Sequence, residues 1–135
     1  MATRDDALRI ITELPEVTEG VRFRHATWFV DGAPFAWDRP FSKADVKRFG
    51  ADPVPDGPIL AVTVEDLGEK EAVLAARHRG FFTIEHFTGF PAVLVQLRVA
   101  APGVVRDALV DGWLAVAPDA RAEEFLAAER AARRR

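Results

Sequence analysis

The dipeptide Asp31-Gly32 separates two β-prone runs, residues 27 to 30 and 33 to 38, and constrains the fold more than any other feature of the chain. A two-residue hairpin of type I′ needs positive φ at both central positions, which Asp and Gly adopt at little cost. The chain is therefore expected to build an antiparallel sheet with Val30 opposite Ala33, Trp28 opposite Phe35 and Ala26 opposite Trp37. By the two-residue period of a strand, all six fall on one face, the core face. The reverse face then sets His25 opposite Asp38 as an exposed ion pair, worth little in water. Pro34 lacks a ladder donor, which points to an edge strand or an outward-turned bond.

Around this hairpin the pattern alternates helices and strands. Thr3 with Asp6 forms a capping box, and Leu8, Ile11 and Leu14 share a helical face that ends at Pro15. After the Thr18-Glu19-Gly20 punctuation, residues 21 to 25 read as a strand. Ser42 with Asp45 opens a short helix closed by Gly50, and the Pro-rich stretch from Asp52 to Pro58 makes a stiff loop before a strand over residues 59 to 64. Asp66 to Glu69 caps a third helix, with Val73 and Leu74 inward and Gly80 beyond its end. Residues 81 to 85 and 92 to 99 read as a second hairpin with a long loop. Pro102 begins a helix with an apolar stripe of Val105, Ala108, Leu109, Gly112, Trp113 and Val116, and a last helix runs from Asp119 into the arginine tail. Hairpins with helices outside them predict an α+β domain of two layers, an antiparallel sheet with helices packed on one face, over all 135 residues.

Composition narrows the chemistry. The chain has no cysteine, so disulfides and thiolate–zinc sites are excluded. No leader-like apolar run opens it and no stretch approaches a bilayer span of ~20 residues, so a cytoplasmic protein is expected. Ser42, the sole serine, is a helix cap and lacks a G-x-S-x-G context. His25, His78 and His86 have no metal-ligand spacing, and no phosphate-cradling glycine loop is present. Glu85-His86 has acid–base potential, but strand neighbours point to opposite faces. Neither metal, cofactor nor enzymatic activity is expected.

Binding remains. Basic residues gather in three places: Arg22 and Arg24 with His25; Arg39, Lys43, Lys47 and Arg48; and Arg77 with His78 and Arg79. Lys43 and Lys47 share one helical face and can reach neighbouring phosphates, although the net charge of -3 gives no global attraction to nucleic acid. A second grouping is aromatic. Trp28, Trp37, His86, Phe87 and Phe90 can line a pocket for a small ligand or a protein segment.

Leu14-Pro15-Glu16-Val17-Thr18-Glu19-Gly20, Phe35-Ala36-Trp37, Phe81-Phe82-Thr83 leading to His86-Phe87, Gly89-Phe90-Pro91-Ala92-Val93-Leu94-Val95, and Trp113 before Ala117-Pro118 together resemble the MmcQ/YjbR family over roughly residues 5 to 126. The resemblance implies a CyaY-like fold and, by fold-level analogy, DNA binding through two hairpins likened to wings. The related frataxin comparison would imply iron, but that needs an acidic ridge. Here Asp5, Asp6, Glu13, Glu16 and Glu19 are interrupted by Arg4, Arg9, Arg22 and Arg24. The leading expectation is thus a non-enzymatic binding protein that contacts duplex DNA through Arg22, Arg24, Lys43, Lys47, Arg48, Arg77 and Arg79, with the aromatic pocket as the alternative.

Overall fold

In the computed structural model, which describes residues 1–134, the capping signals are realised as hydrogen bonds. Thr3 and Asp6 exchange side-chain and backbone bonds at the start of α1 (Arg4–Glu13), and Ser42 and Asp45 do the same at α2 (Lys43–Phe49). Asp66 caps α3 (Leu67–Ala75) through the Glu69 amide. Helices α4 (Pro102–Val116) and α5 (Asp119–Arg133) follow as expected, α4 with proline in its first turn.

Six strands, β1 (Val17–Arg22), β2 (His25–Val30), β3 (Ala33–Asp38), β4 (Ile59–Thr63), β5 (Phe81–Phe82) and β6 (Ala92–Gln96), form one antiparallel sheet in the order β1-β2-β3-β4-β6-β5. This is an α+β fold. Leu60, Val62, Val93 and Val95 face the main core, where they meet Ile11 of α1 and Val105, Leu109 and Trp113 of α4. Val73 and Leu74 of α3 and Phe125 of α5 pack onto the same core. The alternate residues Ile59, Ala61 and Leu94 face the other way, toward Trp37, Phe87, Phe41 and Ile84. That second face is covered by Phe41, just before α2, and by the 3₁₀ turn at Glu85–Phe87. Among the described residues no helix is long and apolar enough to cross a membrane.

Several local expectations change. Strand β1 starts at Val17, not Val21, and runs through Thr18-Glu19-Gly20 because pairing with β2 overrides their turn propensity. The turn lies at Phe23-Arg24, both at positive φ (52° and 69°), a tight hairpin built from residues poorly suited to it. Asp31 and Gly32 make the expected turn, and Val30 pairs with Ala33. Beyond it a bulge intervenes. Trp28 pairs with Ala36 and Thr27 with Trp37, which leaves Phe35 as the extra residue of β3. Phe35 and Ala36 therefore both enter the main core, while Trp37 turns to the opposite face, away from Trp28. Pro34 is accommodated beside the bulge, so β3 is an interior strand and not an edge. Asp38 pairs with Arg4 at 2.7 Å and not with His25. The strand expected over 81 to 85 stops at Phe82, and that over 92 to 99 stops at Gln96, each giving way to a 3₁₀ turn.

The Phe23-Arg24 turn stores strain, because a side chain in the left-handed region crowds its own carbonyl. Replacing the pair with the favoured Asn-Gly, as Phe23→Asn with Arg24→Gly, is expected to stabilise the domain by about 1 kcal/mol, a rise in Tm of about 3–5 °C. A thermal scan of the double variant checks this, and a lower Tm would contradict it.

Candidate functional site

The incompletely covered second face of the sheet carries a groove of about 650 Å³. Its floor is Trp37 of β3, turned there by the bulge. One wall is the β1–β2 hairpin, which contributes Arg22, Phe23 and His25. The opposite wall is the 3₁₀ turn and its following loop, with His86, Phe87 and Phe90. The segment from Arg39 to Ser42, leading into α2, closes the remaining side.

The aromatic rings touch in a chain. Trp37 lies 6.4 Å from Phe87 and 6.2 Å from Phe90, and Phe87 and Phe90 meet edge-on at 5.5 Å. Phe90 is 46% exposed and Phe23 84% exposed, a large apolar area left in water on the rim of one concavity. The far wall is pinned by Lys70 of α3. Its buried ammonium donates to the carbonyl oxygens of Phe87 at 2.6 Å and Phe90 at 2.8 Å, and burial pushes it below the ordinary lysine value.

Charge on the groove is one-sided. Arg39 donates to Asp45 Oδ2 at 2.9 Å and to the Pro40 carbonyl, and lies over the Phe87 ring at 5.5 Å. Asp45 sits below the usual carboxylate range despite its burial, held there by the Ser42 amide, Arg39 and the Ser42 hydroxyl. Arg22 lies over Trp37 at 4.9 Å and over Phe23 at 5.6 Å, contacts that suit a guanidinium on a ring face.

Of the aromatic set named from the sequence, Trp37, His86, Phe87 and Phe90 come together. Trp28 does not. It is buried in the main core beneath the helices, where its indole N–H donates to Glu19 at 2.9 Å. Phe23, His25, Arg39 and Phe41 join the groove without having been assigned to it; an aromatic between two arginines was the sole local hint for Phe23.

The basic set is dispersed. Arg22 lines the groove and Arg24 stands at the hairpin tip, whereas Arg77 and Arg79 precede β5, the strand at the other sheet edge. Lys43 and Lys47 lie exposed on α2, and Arg48 is drawn to Asp45 at 3.7 Å. Glu85 and His86 diverge: Glu85 lines a separate small hollow with Arg48 and Asp52, and His86 lines the groove. Among the described residues, no three His, Cys, Asp or Glu side chains converge to hold a metal ion.

No family model matches the chain, and no solved structure matches it. Uncharacterized protein Mb2600 of Mycobacterium bovis and the uncharacterized proteins MT2646 and Rv2570 of Mycobacterium tuberculosis are each 38% identical to it over 130 residues. The match spans 94% of this chain and 98% of each relative. With that identity over nearly the full length of both partners, the chain belongs to the family of these mycobacterial proteins.

Proposed function

We propose that the chain is a non-enzymatic binding protein whose ligand is a small organic molecule with a flat apolar body, held in the groove against the exposed rings of Phe23 and Phe90. The observation that carries this reading is the convergence of Phe23, Trp37, Phe87 and Phe90 on one concavity of about 650 Å³, within the usual size of small-molecule sites. A ligand that hides the exposed faces of Phe23 and Phe90 gains roughly 25 cal/mol for each Å² of apolar surface removed from water. Duplex DNA, which the MmcQ/YjbR resemblance favours, is less well supported, because the arginines meant to neutralise phosphates divide between opposite sheet edges.

Titration with the uncharged fluorophore N-phenylnaphthylamine tests the reading. Saturable one-site binding with a Kd of about 10 µM is expected. Phe90→Ala, at a half-exposed position, should weaken it about tenfold without lowering Tm appreciably. Absence of saturable binding, or binding indifferent to Phe90→Ala, would overturn the proposal. A parallel titration with duplex DNA at two salt concentrations should show no steep salt-dependent affinity. A log–log slope of roughly -0.9 per phosphate contact would restore the DNA reading.

A further inference from the structure

Within that groove, we infer that the ligand is an organic acid, and that Arg22 is the residue that reads its anionic group; this rests on the groove being a small-molecule site. Four basic or potentially basic side chains line the groove, Arg22, Arg39, His25 and His86, and no Asp or Glu is among its lining residues. The Arg39 charge is already matched, since its pairing with Asp45 leaves the two side chains only 16% and 2% exposed. Arg22 differs. Among the described residues no carboxylate lies within ion-pair distance of it. Its Nε is shielded from solvent and has no hydrogen-bond partner, the one buried side-chain nitrogen or oxygen in that condition among the described residues.

A guanidinium cannot shed its proton to escape this situation. It stays charged, partly desolvated and under-bonded, which is an unfavourable state unless something else supplies the acceptor. The Trp37 and Phe23 rings beneath it orient the guanidinium and lower the local dielectric, and both effects strengthen attraction to an anion. The groove is far larger than an inorganic ion needs, and its exposed apolar surface is that of Phe23 and Phe90. A ligand that satisfies both features carries a flat apolar body against Phe23 and Phe90 and a carboxylate, sulfonate or phosphate group at the Arg22 end. The shared chemistry is that of an aromatic or similarly planar oxyanion.

Two fluorophores of one skeleton separate the parts of this argument: anilinonaphthalenesulfonate carries an anionic group, and N-phenylnaphthylamine does not. The wild-type chain should bind the sulfonate about tenfold more tightly, with added sodium chloride eroding that advantage alone. Arg22→Gln should weaken sulfonate binding about tenfold more than it weakens neutral-probe binding, whereas Arg22→Lys, which keeps the charge but loses the planar fork, should restore part of the difference. Among the described residues the Arg22 Nε makes no hydrogen bond that the substitution would remove, and Tm of each variant confirms that like states are compared. Should the neutral probe bind but the sulfonate gain nothing, or should Arg22→Gln weaken both equally, the acid-binding inference fails and the groove reading stands. If neither probe binds the wild-type chain, both fall together.

Discussion

Gly112→Val is expected to destabilise the domain by about 3 kcal/mol or more, a fall in Tm of about 10 °C or greater. Gly112 lies mid-helix in α4, where glycine ordinarily costs stability relative to alanine. Its presence is explained by contact. A Cβ at this position would stand 2.9 Å from the Thr63 carbonyl oxygen and 2.9 Å from Val62 Cγ1, closer than real side chains come to such atoms. The backbone oxygen of β4 cannot swing aside, so helix and sheet would have to separate, opening the main core around Trp113 and Leu109. Gly112→Ala should show the same effect at smaller size, about 1–2 kcal/mol. Thermal and urea unfolding of both variants checks the prediction, and an unchanged Tm for the valine variant would refute it.

Lys70→Met is expected to cost about 2–3 kcal/mol and, separately, to weaken binding of the neutral fluorophore about tenfold. Methionine keeps the apolar stem but removes the two donors that hold the Phe87 and Phe90 carbonyls. Hydrogen bonds from a charged donor are the strong kind, and both acceptors here belong to the loop that forms one wall of the groove. The same residue gives a pH signature. Burial lowers the folded-state value of Lys70, so between that value and the ordinary lysine value the unfolded chain binds more protons, and stability attributable to this group rises with pH. Loss of that rise in Lys70→Met, measured by urea unfolding across the alkaline range, distinguishes the buried ammonium from other lysines. A variant with wild-type Tm and wild-type affinity would show that the wall stands without it.

The parts of this molecule that the sequence makes legible are those with a local cause. Thr3-Asp6, Ser42-Asp45 and Asp31-Gly32 each contain the donor, acceptor or backbone freedom that their structure uses, and each forms as expected. The Phe23-Arg24 turn contains none of these. It is imposed by the pairing of β1 with β2, and nothing short-range announces it. The extra residue at Phe35 likewise depends on a cross-strand partner, so regular alternation assigned Trp28 and Trp37 to one face when the bulge sends them to two. For the site, Phe90 was readable as an exposed loop aromatic, whereas Phe87, expected beside it outside the core, is buried against Trp37 by a contact that nothing local announces. Lys70, between Glu69 and Glu71, has the appearance of an ordinary solvated helix residue, and its partners lie 17 and 20 positions away. Arg22 was readable as a cation but not as an under-bonded one, since that property belongs to its surroundings.

Strand β3 is one residue longer than its partner requires, and the two ends of the strand are consequently out of phase. The half beside Asp31-Gly32 is phased to the helices, and the half that ends in Trp37 is phased to the groove. A single-codon deletion at Phe35 would bring them back into step with Trp37 still opposite Thr27 on the groove face, and would take one fully buried ring out of the main core. The extra residue thus lets one strand serve two faces, giving the Phe35 and Ala36 side chains together to the main core while Trp37 goes to the groove.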